Sequence, residues 1–177
     1  TNLKAFVLMC ACMSLVNTAQ AVTQECMDFE SFATGILLPV GTDYTFNDIY
    51  GELVRFKWDN GNWTNDGHAE VVNSNLAFGS GQEANLNNIN ISYTFNANHP
   101  MVATFKYADH GGNINLGING LLSSTQDLSD FNGLLINGVF VLVTRQDEGL
   151  GTNHHGTVTL IGDLERIGVG GQEFWVD

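Results

Sequence analysis

The chain has 177 residues, of which 44% are hydrophobic, 10% are aromatic and only 14% are charged. This content excludes a disordered chain, because disordered segments are rich in charge and poor in aromatic residues. Nineteen acidic residues against six Lys and Arg give a formal net charge of −13, which argues against nucleic acid as a partner, since a phosphate backbone is bound by clusters of basic residues.

The first 21 residues have the features of a secretory signal peptide. Lys4 supplies a positive start, residues 5–16 form an apolar run, and Ala19-Gln20-Ala21 matches the small-residue pattern of a cleavage site. The apolar run is too short to span a bilayer, which needs about 20 residues. We therefore expect a secreted protein, extracellular or periplasmic, that is not inserted in a membrane.

Residues 22–177 are expected to form a single domain, because a chain of this length can bury a substantial core. Removal of residues 1–21 also removes Cys10 and Cys12, which leaves Cys26 as the only cysteine. An internal disulfide is then impossible, although secreted domains often use disulfides. The stability of the domain must come from its core, from a bound metal or from both.

Alternation of hydrophobic and polar residues predicts β-strands along most of the chain, because it places every second side chain on one face of a sheet. Val139–Val143 is apolar at every position, so that strand is expected to be buried on both faces. Ser123–Phe131 is expected to hold one short helical turn. In chain order, the predicted strands are Met27–Phe32, Val54–Trp58, His68–Val72, Ile89–Phe95, Met101–Tyr107, Ile114–Ile118, Val139–Val143, Thr157–Ile161, Arg166–Val169 and Glu173–Val176.

Turn sequences separate these strands. Asn-Gly and Asp-Gly pairs tolerate the positive φ angles that tight hairpins require. Many short strands joined by such turns, without a helical pattern, predict an all-β fold, an antiparallel β-sandwich with a jelly-roll-like arrangement. The pairs are Asn60-Gly61, Asp66-Gly67, Asn119-Gly120, Asn132-Gly133 and Asn137-Gly138.

Three short segments, residues 27–30, 111–120 and 170–177, resemble secreted bacterial β-sandwich modules of the jelly-roll class, which includes galactose-binding-like domains and carbohydrate-binding modules. The resemblance implies glycan binding and a structural Ca²⁺ held by an acidic residue near each end of the chain. The matching residues are Glu30 and Asp177.

Elementary chemistry agrees with a calcium site at this position. Ca²⁺ takes six to eight oxygen ligands, and the alternation places Asp28 beside Glu30 on one face of the first strand and Glu173 beside Asp177 on one face of the last. The alternative is that all four are solvated surface carboxylates.

Sugar binding requires an exposed aromatic ring with polar partners around it. Trp63 lies in a predicted turn with Asn62 and Asp66 close by. Its ring is either exposed there, where a sugar could stack on it, or folded back over the end of the sandwich. A second polar cluster falls at a loop between two strands and contains Tyr107, Asp109, His110 and Asn113.

The sequence contains no spacing typical of a catalytic centre, and we expect no catalytic residue. Paired carboxylates for glycoside hydrolysis are recognised by their separation in space, which the sequence does not give. The favoured function is a secreted, non-catalytic module that binds an extracellular glycan or matrix component. The alternatives are a structural or adhesive surface protein and a polysaccharide-active hydrolase or lyase.

Overall fold

A computed structural model describes residues 28–46, 49–96, 99–149 and 153–177. The predicted signal peptide, Cys26 and Met27 lie outside these residues. Within them, no helix is long and apolar enough to cross a membrane.

The described residues form fifteen strands and one 3₁₀ turn. Nine of the ten predicted strands are present, and the six additional strands have five residues or fewer. The strands are β1 (Leu37–Pro39), β2 (Asp43–Phe46), β3 (Ile49–Lys57), β4 (Trp63–Thr64), β5 (His68–Val72), β6 (Glu83–Asn87), β7 (Ile89–Phe95), β8 (Val102–Asp109), β9 (Ile114–Ile118), β10 (Leu121–Thr125), β11 (Leu135–Ile136), β12 (Val139–Asp147), β13 (His154–Ile161), β14 (Arg166–Gly171) and β15 (Phe174–Val176).

The strands are arranged in two sheets, and the strand pairs are antiparallel. The first sheet has the order β1-β5-β6-β15-β8-β13-β12-β11, and the second has the order β10-β9-β14-β7-β3-β2, with β4 paired to β3. The chain changes sheet repeatedly, and the late strands β14 and β15 insert between strands formed much earlier in the sequence. The predicted antiparallel β-sandwich is therefore confirmed.

The core lies between the two sheets and is built from alternate residues of their strands. Complete burial of a Leu, Ile, Val or Phe side chain contributes about 1.5–3 kcal/mol, so this layer supplies most of the favourable energy of folding. Its most buried members include Leu53, Ile91, Leu116 and Val169 from the second sheet and Val141, Val158, Leu160 and Phe174 from the first.

Two predicted strands need correction. β12 is buried on one face only, because Phe140 and Leu142 are 38% and 40% exposed.

The first predicted strand is wrong, since residues 28–35 form turns and bends without a strand. The Asp28 carboxylate accepts a hydrogen bond from the Glu30 N–H at 3.2 Å, and side chain to backbone bonds of this kind favour turns over sheet pairing. Glu173 likewise lies in the turn before β15.

Two predicted hairpin turns have the expected backbone. Asn119 and Gly120 have φ angles of +48° and +85°, and Asn137 and Gly138 have +47° and +82°. Positive φ at both central positions is typical of type I′ turns, whose twist matches that of the flanking strands. The predicted helical turn is the 3₁₀ segment Leu128–Phe131.

The exposure of the outer face of β12 and the burial of the core face of β13 predict a small and a large effect for the same Leu→Ala substitution on these two neighbouring strands. We expect Leu160→Ala in the core to lower the free energy of unfolding by about 2–5 kcal/mol. Leu142→Ala removes the same atoms from a partly exposed position and should change it by less than about 0.5 kcal/mol. Denaturant unfolding of both variants measures the difference, and equal losses would mean that the outer face of β12 is covered.

Candidate functional site

A groove of about 470 Å³ lies on the face of the second sheet that points away from the core. Strand pairing creates it by aligning five residues in a row across β3, β7, β14, β9 and β10. Because side chains alternate along each strand, these residues lie opposite the core positions. The row consists of Glu52, Ser92, Gly168, Gly117 and Leu122, and all five line the groove.

The middle of the groove floor has no side chains. At Gly168, an added Cβ would meet no atom closer than 3.7 Å, and its φ angle lies outside the left-handed region. The backbone therefore does not require glycine there. The missing side chains of Gly168 and Gly117 keep the floor open, as expected where a ligand approaches a strand closely.

Trp63 lines the groove and is 49% exposed, which the sequence had left open. The hairpin between β3 and β4 holds it, because Trp63 is paired with Lys57 directly after the turn. The guanidinium carbon of Arg55 lies 5.3 Å from the centre of the indole ring, within the range of a cation–π interaction.

The two other candidates from this loop flank Trp63 without lining the groove. The backbone N–H of Asn62 donates to Asn60 Oδ1 at 2.9 Å, and that of Asp66 donates to Thr64 Oγ1 at 3.2 Å. Both residues therefore help to shape the turn. Asn65, which lies between them and was not selected from the sequence, does line the groove.

Polar side chains complete the lining. Arg166 Nε donates to Ser92 Oγ at 2.7 Å, and Asn90 Nδ2 donates to the Arg55 carbonyl at 2.7 Å. Asn115 is completely buried on the groove side of β9, and its Nδ2 donates to Asn90 Oδ1 at 3.2 Å. Its Oδ1 has no hydrogen-bond partner in the part of the chain that the structure describes.

Most of this lining could not be predicted from the sequence, because its residues come from strands far apart in the chain. One signal was present. Glycine interrupts β9 at Gly117 and β14 at Gly168 and Gly170. Glycine inside a strand marks a bulge or the close approach of a ligand or another backbone.

The second predicted cluster does not form one surface. Tyr107 is completely buried, and its ring stacks on Phe174 at 5.9 Å with an interplanar angle of 11°, so it has no face to offer a ligand. Burial raises the pKa of its hydroxyl to about 12. Asn113 is buried, and its Nδ2 donates to Ser124 Oγ at 3.0 Å. The ring of His110 packs against Trp175 at 4.6 Å.

Asp109 lines a smaller cavity of about 250 Å³ together with Asp127, Arg145 and His154. His154 Nε2 lies 3.3 Å from Asp109 Oδ2 and 3.6 Å from Asp127 Oδ1, and Arg145 pairs with Asp127. Burial raises the pKa of the Asp109 carboxyl, and the Gly111 N–H and His154 oppose the shift. Inside this cluster the Asp127 carboxylate is compensated by Arg145.

Glu30 and Asp177, the residues predicted to bind calcium, approach the same loop although they lie near opposite ends of the chain. The N–H of Ser80 donates to Asp177 Oδ2 at 2.7 Å, and the N–H of Gln82 donates to Glu30 Oε1. A Cβ at position 79 or 81 would collide with these carboxylates unless their side chains moved, and Gly81 also has a φ of +90°, which disfavours other residues. We call residues 79–82 the carboxylate-bound loop.

Negative charge accumulates around the carboxylate-bound loop. Glu83 is buried and accepts two backbone N–H bonds from residues 76 and 77, at 2.7 and 2.8 Å. Partial burial raises the pKa of the Asp177 carboxyl, the Ser80 N–H lowers it, Glu83 raises it, Lys106 lowers it and Asp28 raises it. The ionised form of Asp177 is therefore less favourable in the folded chain than in the unfolded one.

No set of three His, Cys, Asp or Glu side chains within the described ranges is arranged to hold a metal ion. Comparisons of the chain with models of known families, with curated proteins and with solved structures find no significant match. The resemblance to carbohydrate-binding modules therefore remains an expectation, and the function must be argued from the chain's own residues.

The raised pKa of Asp177 predicts a pH-dependent stability difference between the chelator-treated protein and its Asp177→Asn variant. Below the ordinary Asp pKa of 3.8 the two should be equally stable, because Asp177 is then protonated. As the pH rises above this value, Asp177 ionises more readily in the unfolded chain than in the folded one. The wild type should therefore become less stable than the variant. Denaturant midpoints measured from acid to neutral pH test this, and a less stable variant at neutral pH would contradict it.

Proposed function

We propose that this protein is a secreted, non-catalytic module that binds a glycan in the groove of the second sheet. The observation that carries the proposal is the half-exposed ring of Trp63 beside a groove whose floor lacks side chains. Its volume of about 470 Å³ falls within the range of about 300–1,000 Å³ usual for ligand sites.

The chemistry of the lining suits a sugar. An indole ring offers an apolar face to the C–H groups of a pyranose, and the open floor at Gly168 admits a flat ring. Asn90, Ser92 and Glu52 supply donors and acceptors for hydroxyl groups.

Binding is favoured over hydrolysis by the count of carboxylates. Glycoside hydrolases use two carboxylates separated by about 5–9.5 Å across the scissile bond. Glu52 is the one acidic side chain among the described residues that line the groove. The described groove lining therefore does not contain the pair of carboxylates that a glycoside hydrolase uses.

We expect Trp63→Ala to abolish most glycan binding. Loss of an aromatic anchor at the centre of an interface costs about 2 kcal/mol or more, which corresponds to a roughly thirtyfold loss of affinity. A glycan array followed by calorimetry with the best ligand measures it. Trp63→Phe should retain part of the affinity, and Leu135→Ala, which removes an exposed apolar side chain from the other sheet, should retain all of it.

A second variant tests the groove itself. The Cβ of Gly168→Val meets no atom closer than 3.7 Å and Val favours strands, so the side chain should fill the open floor and abolish binding while the melting temperature is kept. Unchanged binding by both Trp63→Ala and Gly168→Val would place the ligand elsewhere and contradict the proposal.

We also propose that Ca²⁺ binds between the carboxylate-bound loop and the two ends of the domain. Glu30 and Asp177 would hold the ion, and the glycine cradle at positions 79 and 81 is consistent with this role. A bound cation would neutralise carboxylates that repel one another in its absence. It would also fasten both ends of the domain to the loop.

Calcium should raise the melting temperature of the chelator-treated protein. At a concentration one hundred times the dissociation constant, binding to the folded state adds about 2.7 kcal/mol, which for a domain of this size is roughly 5–10 °C. Glu30→Gln and Asp177→Asn should lose the response, whereas Glu165→Gln, a control at an exposed residue, should keep it. An unchanged melting temperature at millimolar Ca²⁺ would refute the site.

A structural or adhesive role is the second candidate function, and an apolar row on the outer face of the first sheet favours it. Strand pairing aligns four residues across β11, β12, β13 and β8, and each is more than one-third exposed. They are Leu135, Phe140, Ile161 and Val102. Concentration-dependent assembly without glycan binding would favour this role over the first.

A further inference from the structure

We propose that the groove selects acidic oligosaccharides, whose carboxylate or sulfate groups are bound by Arg55 and Arg166, over neutral ones. This inference rests on the proposed glycan-binding function and names the class of ligand. It is carried by the position and pairing of the few basic residues in the chain.

The basic residues of the described ranges fall into distinct environments. Arg145 is paired with Asp127 and Asp147, and Lys106 lies near Asp177, with its ammonium bound to the Phe78 carbonyl at 2.7 Å. Arg55 and Arg166 line the groove, and neither forms an ion pair with an acidic residue that the structure describes.

The groove reverses the charge balance of the molecule. Acidic residues outnumber Lys and Arg by 19 to 6 in the whole chain, whereas the described groove lining holds Arg55 and Arg166 against Glu52 alone. A strongly acidic surface repels a polyanion, so two unpaired arginines in one cavity provide a local attraction against that field. The guanidinium fork also matches the planar geometry of a carboxylate and donates a hydrogen bond to each of its two oxygens at once.

Both guanidinium groups are held in place by neighbouring side chains. Arg166 is oriented by its hydrogen bond to Ser92, and Arg55 lies against the indole of Trp63. In β7, Ser92 is three residues from Ile89, the partner of Arg55, a separation of about 10 Å along the strand. The two arginines are thus anchored at different points along the groove, an arrangement that suits a ligand of linked sugar rings.

The test compares one sugar chain with and without its charges. Calorimetry would use an oligogalacturonate, the same oligosaccharide after carboxyl reduction, and a sulfated galactan oligosaccharide of similar length. We expect at least one charged ligand to bind tenfold or more tightly than the reduced chain, and its affinity to fall as ionic strength rises. The carboxylated and sulfated arms distinguish the two sources of the anionic group.

Variants assign the preference to the arginines. Arg166→Gln should lower affinity for the charged ligand roughly tenfold, since a hydrogen bond to a charged group is lost, and should lower affinity for the reduced chain by much less. Arg166→Lys should restore part of the affinity. Lys57→Gln removes the same charge from β3 outside the groove lining and is the matched control, with little effect expected.

The outcomes separate this inference from the proposed function. Equal or tighter binding of neutral chains, on the array or after carboxyl reduction, overturns the acidic preference while glycan binding stands. Equal losses in Arg166→Gln and Lys57→Gln also overturn it, because the effect would then come from net charge. Absence of binding to any glycan overturns both.

Discussion

The antiparallel register of the second sheet is the constraint on which the candidate site depends. One set of alternate residues, including Leu53, Ile91 and Val169, must face the core, and this places the residues between them on the outer face. A slip of one residue would exchange the two sets. Burial of the core side therefore also determines that Ser92 and Gly168 form the groove floor, and a site made of weakly interacting polar groups is positioned by hydrophobic energy that does not involve the ligand.

The distribution of charge around this frame suggests a division of roles. Glu30, Glu83 and Asp177 lie at or beside the carboxylate-bound loop, and partial burial together with Glu83 and Asp28 raises the pKa of the Asp177 carboxyl, so its charge is less favourable in the folded chain than in the unfolded one. A bound cation would compensate these negative charges and link Glu30 and Asp177 to the same loop. The groove has the opposite balance, because Arg55 and Arg166 lie there without acidic partners among the described residues. Calcium and an acidic sugar would then occupy sites of opposite charge.

Local patterns predicted much of the fold because they depend on neighbours in the sequence. β7 was predicted with its observed limits, and the Asn119-Gly120 turn has the expected backbone. The sequence left open whether the ring of Trp63 is exposed, and the structure shows it about half exposed. The error at β12 has a physical cause, since a run of apolar residues is compatible with burial on one face or on two. What covers the outer face of a sheet is a property of the whole molecule.

The sequence by itself determined that the chain forms short strands joined by tight turns, and that the first and last of the predicted strand segments contain acidic residues. These features follow from side-chain alternation and from the φ angles that Asn and Gly tolerate. Only the tertiary structure decided that Arg166 would share a groove with Arg55 and Trp63, and that Glu30 and Asp177 would bind one loop. These groupings join residues that are distant in the chain, and they arise from strand pairing and sheet packing, which no local pattern encodes.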